Sequence, residues 1–270
     1  MGIFRHGASV AGGIIGGVLA LALGAYAILG PQLDTKFESP MVNSSIQISD
    51  FCSGTFIQDP IPYDGLQPTI ITAKHCIPTM SPVGEGKIIP IPFPVYVADR
   101  TARVDEVDFV VTDVSDDSDL AILQYYGEDG PEILKKHGVM TATVYPGNVT
   151  FGDRVFALAF PYGWSKTVTE GVLGFIEIVE PFKTLSKSGE FRRSTTQTAR
   201  GSSGGGLFYR TDEGVDYLVG VLTGGAGEFV TYWTPLEELR RYVKTVGAKV
   251  EKEFMEEFVK ELNDYIANNG

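Results

Sequence analysis

A chain of 270 residues with a formal net charge of −12 is excluded as a binder of nucleic-acid backbones, because neutralising phosphates needs a basic surface. Its 43% hydrophobic content excludes disorder, and 32 Gly and 15 Pro fit a turn-rich all-β domain. One export or membrane segment plus one domain of ~200–250 residues uses up the length.

In chain order, the first feature is an uncharged run from Gly7 to Leu33. Its stretch from Ala8 to Gly30 is long enough to cross a bilayer core of ~30 Å at ~1.5 Å per residue. Arg5 before it and Asp34 and Glu38 after it orient the N-terminus inward. On length, residues 1–33 read as an uncleaved signal anchor, which makes the protein single-pass with its bulk extracytoplasmic. The competing reading is a signal peptide cut near Ala27, after the small-x-small Ala25-Tyr26-Ala27, giving a secreted product.

Residues 34–45 read as a linker that ends in a first strand. Strands follow at 51–57, 69–72, 103–114 and 120–126, with a proline-rich irregular stretch at 78–94 and a helical turn or two at 131–138. Further strands are expected at 142–145, 153–160, 171–178, 195–198, 206–209, 218–223 and 228–233. From Pro235 the period changes. Leu236, Leu239, Tyr242, Val243 and Val246, then Phe254, Phe258 and Leu262, recur at helical spacing and predict an amphipathic helix broken near Gly247.

Three short segments carry chemistry: Thr72-Ala73-Lys74-His75-Cys76, Asp119-Leu120-Ala121-Ile122-Leu123 and Gly201-Ser202-Ser203-Gly204-Gly205-Gly206. They read, in order, as base, orienting acid and nucleophile. A serine hydroxyl is a weak nucleophile at neutral pH and needs an imidazole to take its proton and later pass it on. A buried carboxylate must hold that imidazole in the right tautomer. The surrounding glycines allow backbone N–H groups to converge on an oxyanion, which assigns the oxyanion hole to the amides of Gly201 and Ser203.

Other readings fare worse. Of three histidines, His6 precedes the apolar run and His137 sits in Lys135-Lys136-His137-Gly138, so a triad hydrolase would have His75 as base. Asp113, Asp116 and Asp117 lie near Asp119, but only Asp119 abuts the apolar strand where a carboxylate can be buried. The alternate acids resemble a calcium loop, yet Ser118 stands where the turn needs Gly and Gln124 where a bidentate Glu belongs. Two cysteines and no paired histidines give no zinc spacing. A phosphate cradle at 204–206 lacks the following Lys and helix. No metal and no cofactor is expected.

Taken together, the three segments resemble the trypsin-like (chymotrypsin-fold) serine peptidases, over roughly residues 46–245. Gly152 to Gly163, followed by Thr167 to Val172, is similar to the opening hairpin of the second barrel in the Deg (high-temperature-requirement) branch. That branch would append a PDZ domain, and none fits after Pro235. Ser202 replaces the aspartate that pairs with a new N-terminus in animal digestive members, so their activation switch is expected to be absent. The resemblance implies an all-β fold of two six-stranded antiparallel β-barrels, at about 46–138 and 139–234; the apolar run adds an N-terminal transmembrane helix, and the helical spacing after Pro235 a C-terminal amphipathic helix at 246–270. It implies a disulfide between Cys52 and Cys76, 24 positions apart, stapling the histidine loop; two buried free thiols are the alternative. It also places Thr223, Gly224 and Gly225 on the strand that pairs with bound peptide, and Gln197 near the pocket base.

The expected activity is that of a serine endopeptidase on peptide or protein substrates, held at the membrane by its N-terminal helix. The alternative is a catalytically silent trypsin-fold scaffold at the cell surface. It is disfavoured because a chain without catalysis has no chemical need of all three triad residues.

Overall fold

The computed structural model describes residues 39–49, 51–58, 67–77, 88–96, 102–125, 127, 129–225 and 230–269. The apolar N-terminal run, the start of the linker and much of the proline-rich stretch lie outside the described residues. Among the described residues no helix is long and apolar enough to cross a membrane.

A one-turn helix, α1 (Pro40–Asn43), leads into six strands: β1 (Ser45–Ser49), β2 (Cys52–Ile57), β3 (Thr69–Thr72), β4 (Ile88–Tyr96), β5 (Ala102–Val114) and β6 (Ala121–Tyr125). They form an antiparallel sheet in the order β1-β2-β3-β6-β5-β4. Its two edges, β1 and β4, come side by side, but no ladder joins them among the described residues. The expectation of two closed barrels is therefore corrected: this sheet is a half-barrel. The reason lies in β4, which carries Pro90, Pro92 and Pro94 at alternate positions. Proline has no N–H to donate, so a strand can hold prolines on its outward-bonding positions only if it stays an edge.

The second sheet does close. After α2 (Gly130–Lys136) come β7 (Thr143–Val144), β8 (Arg154–Ala159), β9 (Thr167–Ile178), β10 (Glu190–Ser194), β11 (Gly206–Arg210), β12 (Asp216–Gly225) and β13 (Thr231–Trp233). The order β11-β8-β9-β10-β13-β12 returns on itself because β12 also pairs with β11, and β7 adds outside in parallel to β12. The expected strand at 195–198 is irregular chain, and the strand lies at Glu190–Ser194 instead. Four of the five residues in β10 are polar; the one apolar residue, Phe191, is buried, and so is Ser194.

Alternation of side chains across the strands builds three cores. Phe56, Ile70, Phe109, Val111 and Leu123 fill the first sheet beside Cys52 and Cys76. Val155, Leu173, Leu207, Val219, Leu222 and Trp233 fill the second. The third lies between them: Ile57, Ile71, Leu120 and Ile122 from one side meet Leu158, Phe208, Leu218 and Val221 from the other. Ile70 thus points into the first core and Ile71 into the seam, so β3 is buried on both faces and all four of its residues are buried.

The last element, α3 (Leu236–Asn269), runs without interruption through Gly247, where a break was expected. Its Leu239, Tyr242 and Val246 complete the seam core, which is why the apolar spacing persists there. Cys52 and Cys76 form a disulfide with Cα atoms 5.8 Å apart.

Two predictions follow from this packing. Replacing Cys52 and Cys76 by serine together should lower stability by ~3 kcal/mol in urea unfolding, since the cross-link restricts the unfolded chain. On α3, Glu238 is buried; its Oε1 accepts a 2.9 Å bond from Ser188, while Oε2 has no partner among the described residues. Burial raises its pKa above 4.5, opposed by the Ser188 bond and by Arg241. The folded state then holds this proton more tightly than the unfolded one, so stability falls as pH rises through the window above 4.5. Glu238→Gln should raise the unfolding midpoint at neutral pH and flatten that part of the stability–pH curve.

Candidate active site

His75 sits in a 3-10 turn, Lys74–Cys76, just beyond β3. Asp119 lies at the end of the turn before β6, pulled inward because the next residue, Leu120, enters the seam core. The turn is tied by Ser115, whose Oγ accepts the Ser118 N–H at 3.0 Å and the Asp117 N–H at 3.2 Å. Its carbonyl accepts Lys74 Nζ at 2.7 Å. The fully buried Asp119 carboxylate faces His75 with both oxygens: Oδ2 is 2.8 Å from Nδ1, and Oδ1 accepts the His75 backbone N–H at 3.0 Å. With a carboxylate on Nδ1, the proton belongs on that nitrogen, which leaves Nε2 as a lone-pair acceptor toward solvent. The imidazole side chain is 31% exposed and Asp119 is 0% exposed, so one partner is fixed and the other accessible.

The neighbouring acids do otherwise. Asp117 pairs with Lys187 at 2.5 Å, which holds its carboxyl below the usual range, and Asp113 pairs with Lys249 at 3.2 Å.

Ser203 belongs to the tight segment that enters β11. Gly201 has φ +91° and Gly204 φ +81°, both in the left-handed region that favours glycine. A Cβ on Gly201 would come within 2.6 Å of the Phe160 carbonyl, and one on Gly204 would strike Thr72 Oγ1 and the Ser53 carbonyl. The turn is closed by Ser202 N–H to Ala199 O at 3.0 Å, Gly204 N–H to Leu222 O at 2.8 Å and Gly205 N–H to Ser202 O at 2.9 Å. Tyr162 N–H donates to Arg200 O at 2.5 Å. In a trans peptide the N–H points opposite the C=O, so this bond aims the Gly201 N–H away from Tyr162. Among the described residues neither the Gly201 nor the Ser203 amide is engaged in a hydrogen bond.

One residue absent from the sequence reading joins the two halves. Ser53, wholly buried in β2, donates its N–H to Ser203 O at 2.7 Å and its Oγ to Gly201 O at 2.7 Å, and that Oγ accepts the Phe160 N–H at 2.9 Å. Its own carbonyl accepts Thr72 Oγ1 at 2.8 Å. Beside it, Cys76 Sγ lies 3.5 Å from the Ser203 carbonyl oxygen. A bridged sulfur has no hydrogen to give, so this is a packing contact. The only sequence signal was a small polar residue next to Cys52 in a strand that ends in Phe56 and Ile57. His75 and Asp119 are brought into direct contact; Ser203 is anchored to the same sheet through its backbone, and its hydroxyl makes no hydrogen bond among the described residues.

Thr223, Gly224 and Gly225 form the end of β12. Gln197 is exposed, its carbonyl accepting Thr169 Oγ1 at 2.8 Å. Between these segments lies a buried hydroxyl cluster that sequence reasoning missed, because its members come from separate strands. Ser194 Oγ is 2.7 Å from Thr196 Oγ1 and 2.6 Å from Thr231 Oγ1, and the Trp233 indole N–H reaches both Ser194 and Thr231 at 2.9 Å. Thr231 stands opposite Gly225 in the ladder. The floor beneath the 195–198 segment is thus polar and uncharged.

The family of trypsin-like peptidase domains matches residues 52–221, a span that includes His75, Asp119 and Ser203. The chain belongs to that family and is a serine endopeptidase. No curated protein matches it in sequence. Among solved structures it is similar to an inactive form of Rv3671c from M. tuberculosis H37Rv carrying a serine-to-alanine mutation. That match has 14% identity and TM-score 0.52, over 83% of this chain and 93% of that one. A second inactive form of the Rv3671c protease matches at 15% identity and TM-score 0.51, over 77% and 90%. The HtrA-type protease AlgW, solved with a tripeptide, matches at 16% identity and TM-score 0.52, over 77% of this chain and 61% of that one. Likeness at such identities is likeness of fold.

Ser53→Ala would leave the Gly201 carbonyl and the Phe160 amide without their buried partner. Urea unfolding should show a loss of about 2–4 kcal/mol.

Proposed function

We propose that Ser203 attacks the scissile carbonyl of a peptide or protein substrate, with His75 as general base and acid and Asp119 as its orienting carboxylate. The observation that carries this reading is the double hold of buried Asp119 on the ring and backbone of His75. As Ser203 Oγ bonds to the carbonyl carbon, its proton passes to His75 Nε2, and the carbonyl oxygen becomes an oxyanion. The free amides of Gly201 and Ser203 stabilise that charge, and their fixed orientation costs no rearrangement during reaction. The imidazolium then gives its proton to the leaving amine, the C–N bond breaks, and an acyl-enzyme remains. Water, deprotonated by His75, releases the acid and restores the serine.

The backbone of Thr223, Gly224 and Gly225 offers an edge for substrate residues preceding the cleaved bond. The uncharged hydroxyl cluster near Gln197 favours a small, aliphatic or polar side chain over a basic one. The Cys52–Cys76 disulfide supports work in an oxidising compartment, in keeping with a membrane-tethered enzyme whose domain faces outward. The N-terminal run would supply the tether.

Fluorophosphonate labelling of the full chain near pH 8, with the modified residue mapped by mass spectrometry, tests the reading. Label should appear on Ser203 and vanish in Ser203→Ala, and Asp119→Asn should slow peptide hydrolysis by about 10⁴. A folded, disulfide-bonded protein that takes no label would favour the silent-scaffold reading.

A further inference from the structure

The closed barrel fixes where the two halves of a substrate lie. β11 runs from the nucleophile segment and is flanked by β12 on one side and β8 on the other: Gly206 faces Val221 in β12 and Leu158 in β8. Beyond those partners β12 continues to Gly225, while β8 ends at Ala159 and leads through Phe160 into the turn Pro161–Gly163, which lies against Gly201. A peptide crossing Ser203 with its leading residues on the 223–225 edge must run out over the segment after β8. That segment presents two aromatic rings to solvent, Tyr162 at 55% exposure and Trp164 at 80%, with centroids 5.6 Å apart and planes at 44°.

Nothing in the local fold needs those rings outside. Single exposed aromatics occur elsewhere in the molecule, as at Phe51, but a contiguous pair beside a site marks a binding surface. Their presentation is also held in place. Tyr162 has φ +56°, the one non-glycine residue with positive φ among those described, a conformation that is costly for a bulky side chain. It is retained with the Tyr162 N–H on Arg200 O, the bond that aims the Gly201 amide. The same three-residue turn therefore exposes the ring pair and sets one donor of the oxyanion hole.

We infer that Tyr162 and Trp164 form a recognition site for a large apolar or aromatic side chain within two residues after the cleaved bond; this rests on the triad reading above. The two rings pack on each other and together present one exposed apolar face, against which an aromatic or aliphatic side chain can lie. A basic substrate residue is disfavoured, because Lys166, whose ammonium lies 5.7 Å from the Phe160 ring, and exposed Arg200 flank the turn. Trp164 acts on specificity alone, while Tyr162 joins specificity to the geometry of the hole.

Internally quenched peptides differing only in having Phe, Leu, Gly or Lys at the two positions after the cleaved bond test this. Active enzyme is counted in each preparation by fluorophosphonate titration of Ser203, so misfolded protein drops out of the rate. Wild type should prefer Phe or Leu over Gly by about tenfold in kcat/KM, with Lys lowest. Trp164→Ala should bring that ratio within about threefold. Tyr162→Gly, which keeps the left-handed backbone and its N–H while removing the ring, should do the same. A wild-type ratio near one, or a ratio unchanged in both variants, overturns the inference while labelling at Ser203 leaves the triad intact. Absence of label in wild type overturns the triad reading itself, and the inference with it.

Discussion

Two sheets with separate interiors can present one chemical centre only if the seam between them does not slide, and Ser53 is the bolt. Its backbone and hydroxyl make three bonds to the far side, at Gly201, Ser203 and Phe160, from a strand whose neighbour Cys52 is covalently tied to Cys76. The residue following His75 and the residue preceding Ser53 are therefore one covalent unit. That unit contacts the Ser203 carbonyl. Register between His75 and Ser203 is thus set by Ser53 and the disulfide, and the Ser203 hydroxyl takes no part in it.

Asp119 shows how a buried charge is tolerated. Removing a carboxylate from water is expensive unless donors replace the lost solvent. Here the His75 ring and amide both do so, and hydrogen-bonded serines shape the turn that delivers the carboxylate. Asp117 stays at the surface, where Lys187 reaches it, and Asp113, half-buried near the end of β5, pairs with Lys249. Surface ion pairs add little stability.

The site was legible in sequence where one residue's neighbours reveal its environment. Asp119 stood out from Asp113, Asp116 and Asp117 because an apolar strand begins at the next position. The helix after Pro235 was legible from its period, though Gly247 misled: one glycine costs only about 1 kcal/mol inside a helix, less than the seam contacts of Tyr242 and Val246 provide. β4 and β10 escaped because their sequences break local strand rules that tertiary position overrides, prolines on an edge in one and four polar residues out of five in the other. Ser53 and the Ser194–Thr196–Thr231 cluster escaped for another reason. Their partners lie far away in sequence: 148 residues separate Ser53 from Gly201, and 37 separate Ser194 from Thr231. No window along the chain contains both ends of such a bond.

The position of α3 has a further meaning for how the protein comes into being. The core between the sheets is finished by Leu239, Tyr242 and Val246, which are synthesised after every strand of both sheets. Until they emerge, Ile71, Ile122, Phe208 and Leu218 border an incomplete interior. Long-range β pairing is slow in any case, so the cutting centre is assembled only after the strands of both sheets exist. A nascent protease whose seam waits for the helix behind its strands passes that interval without a finished blade.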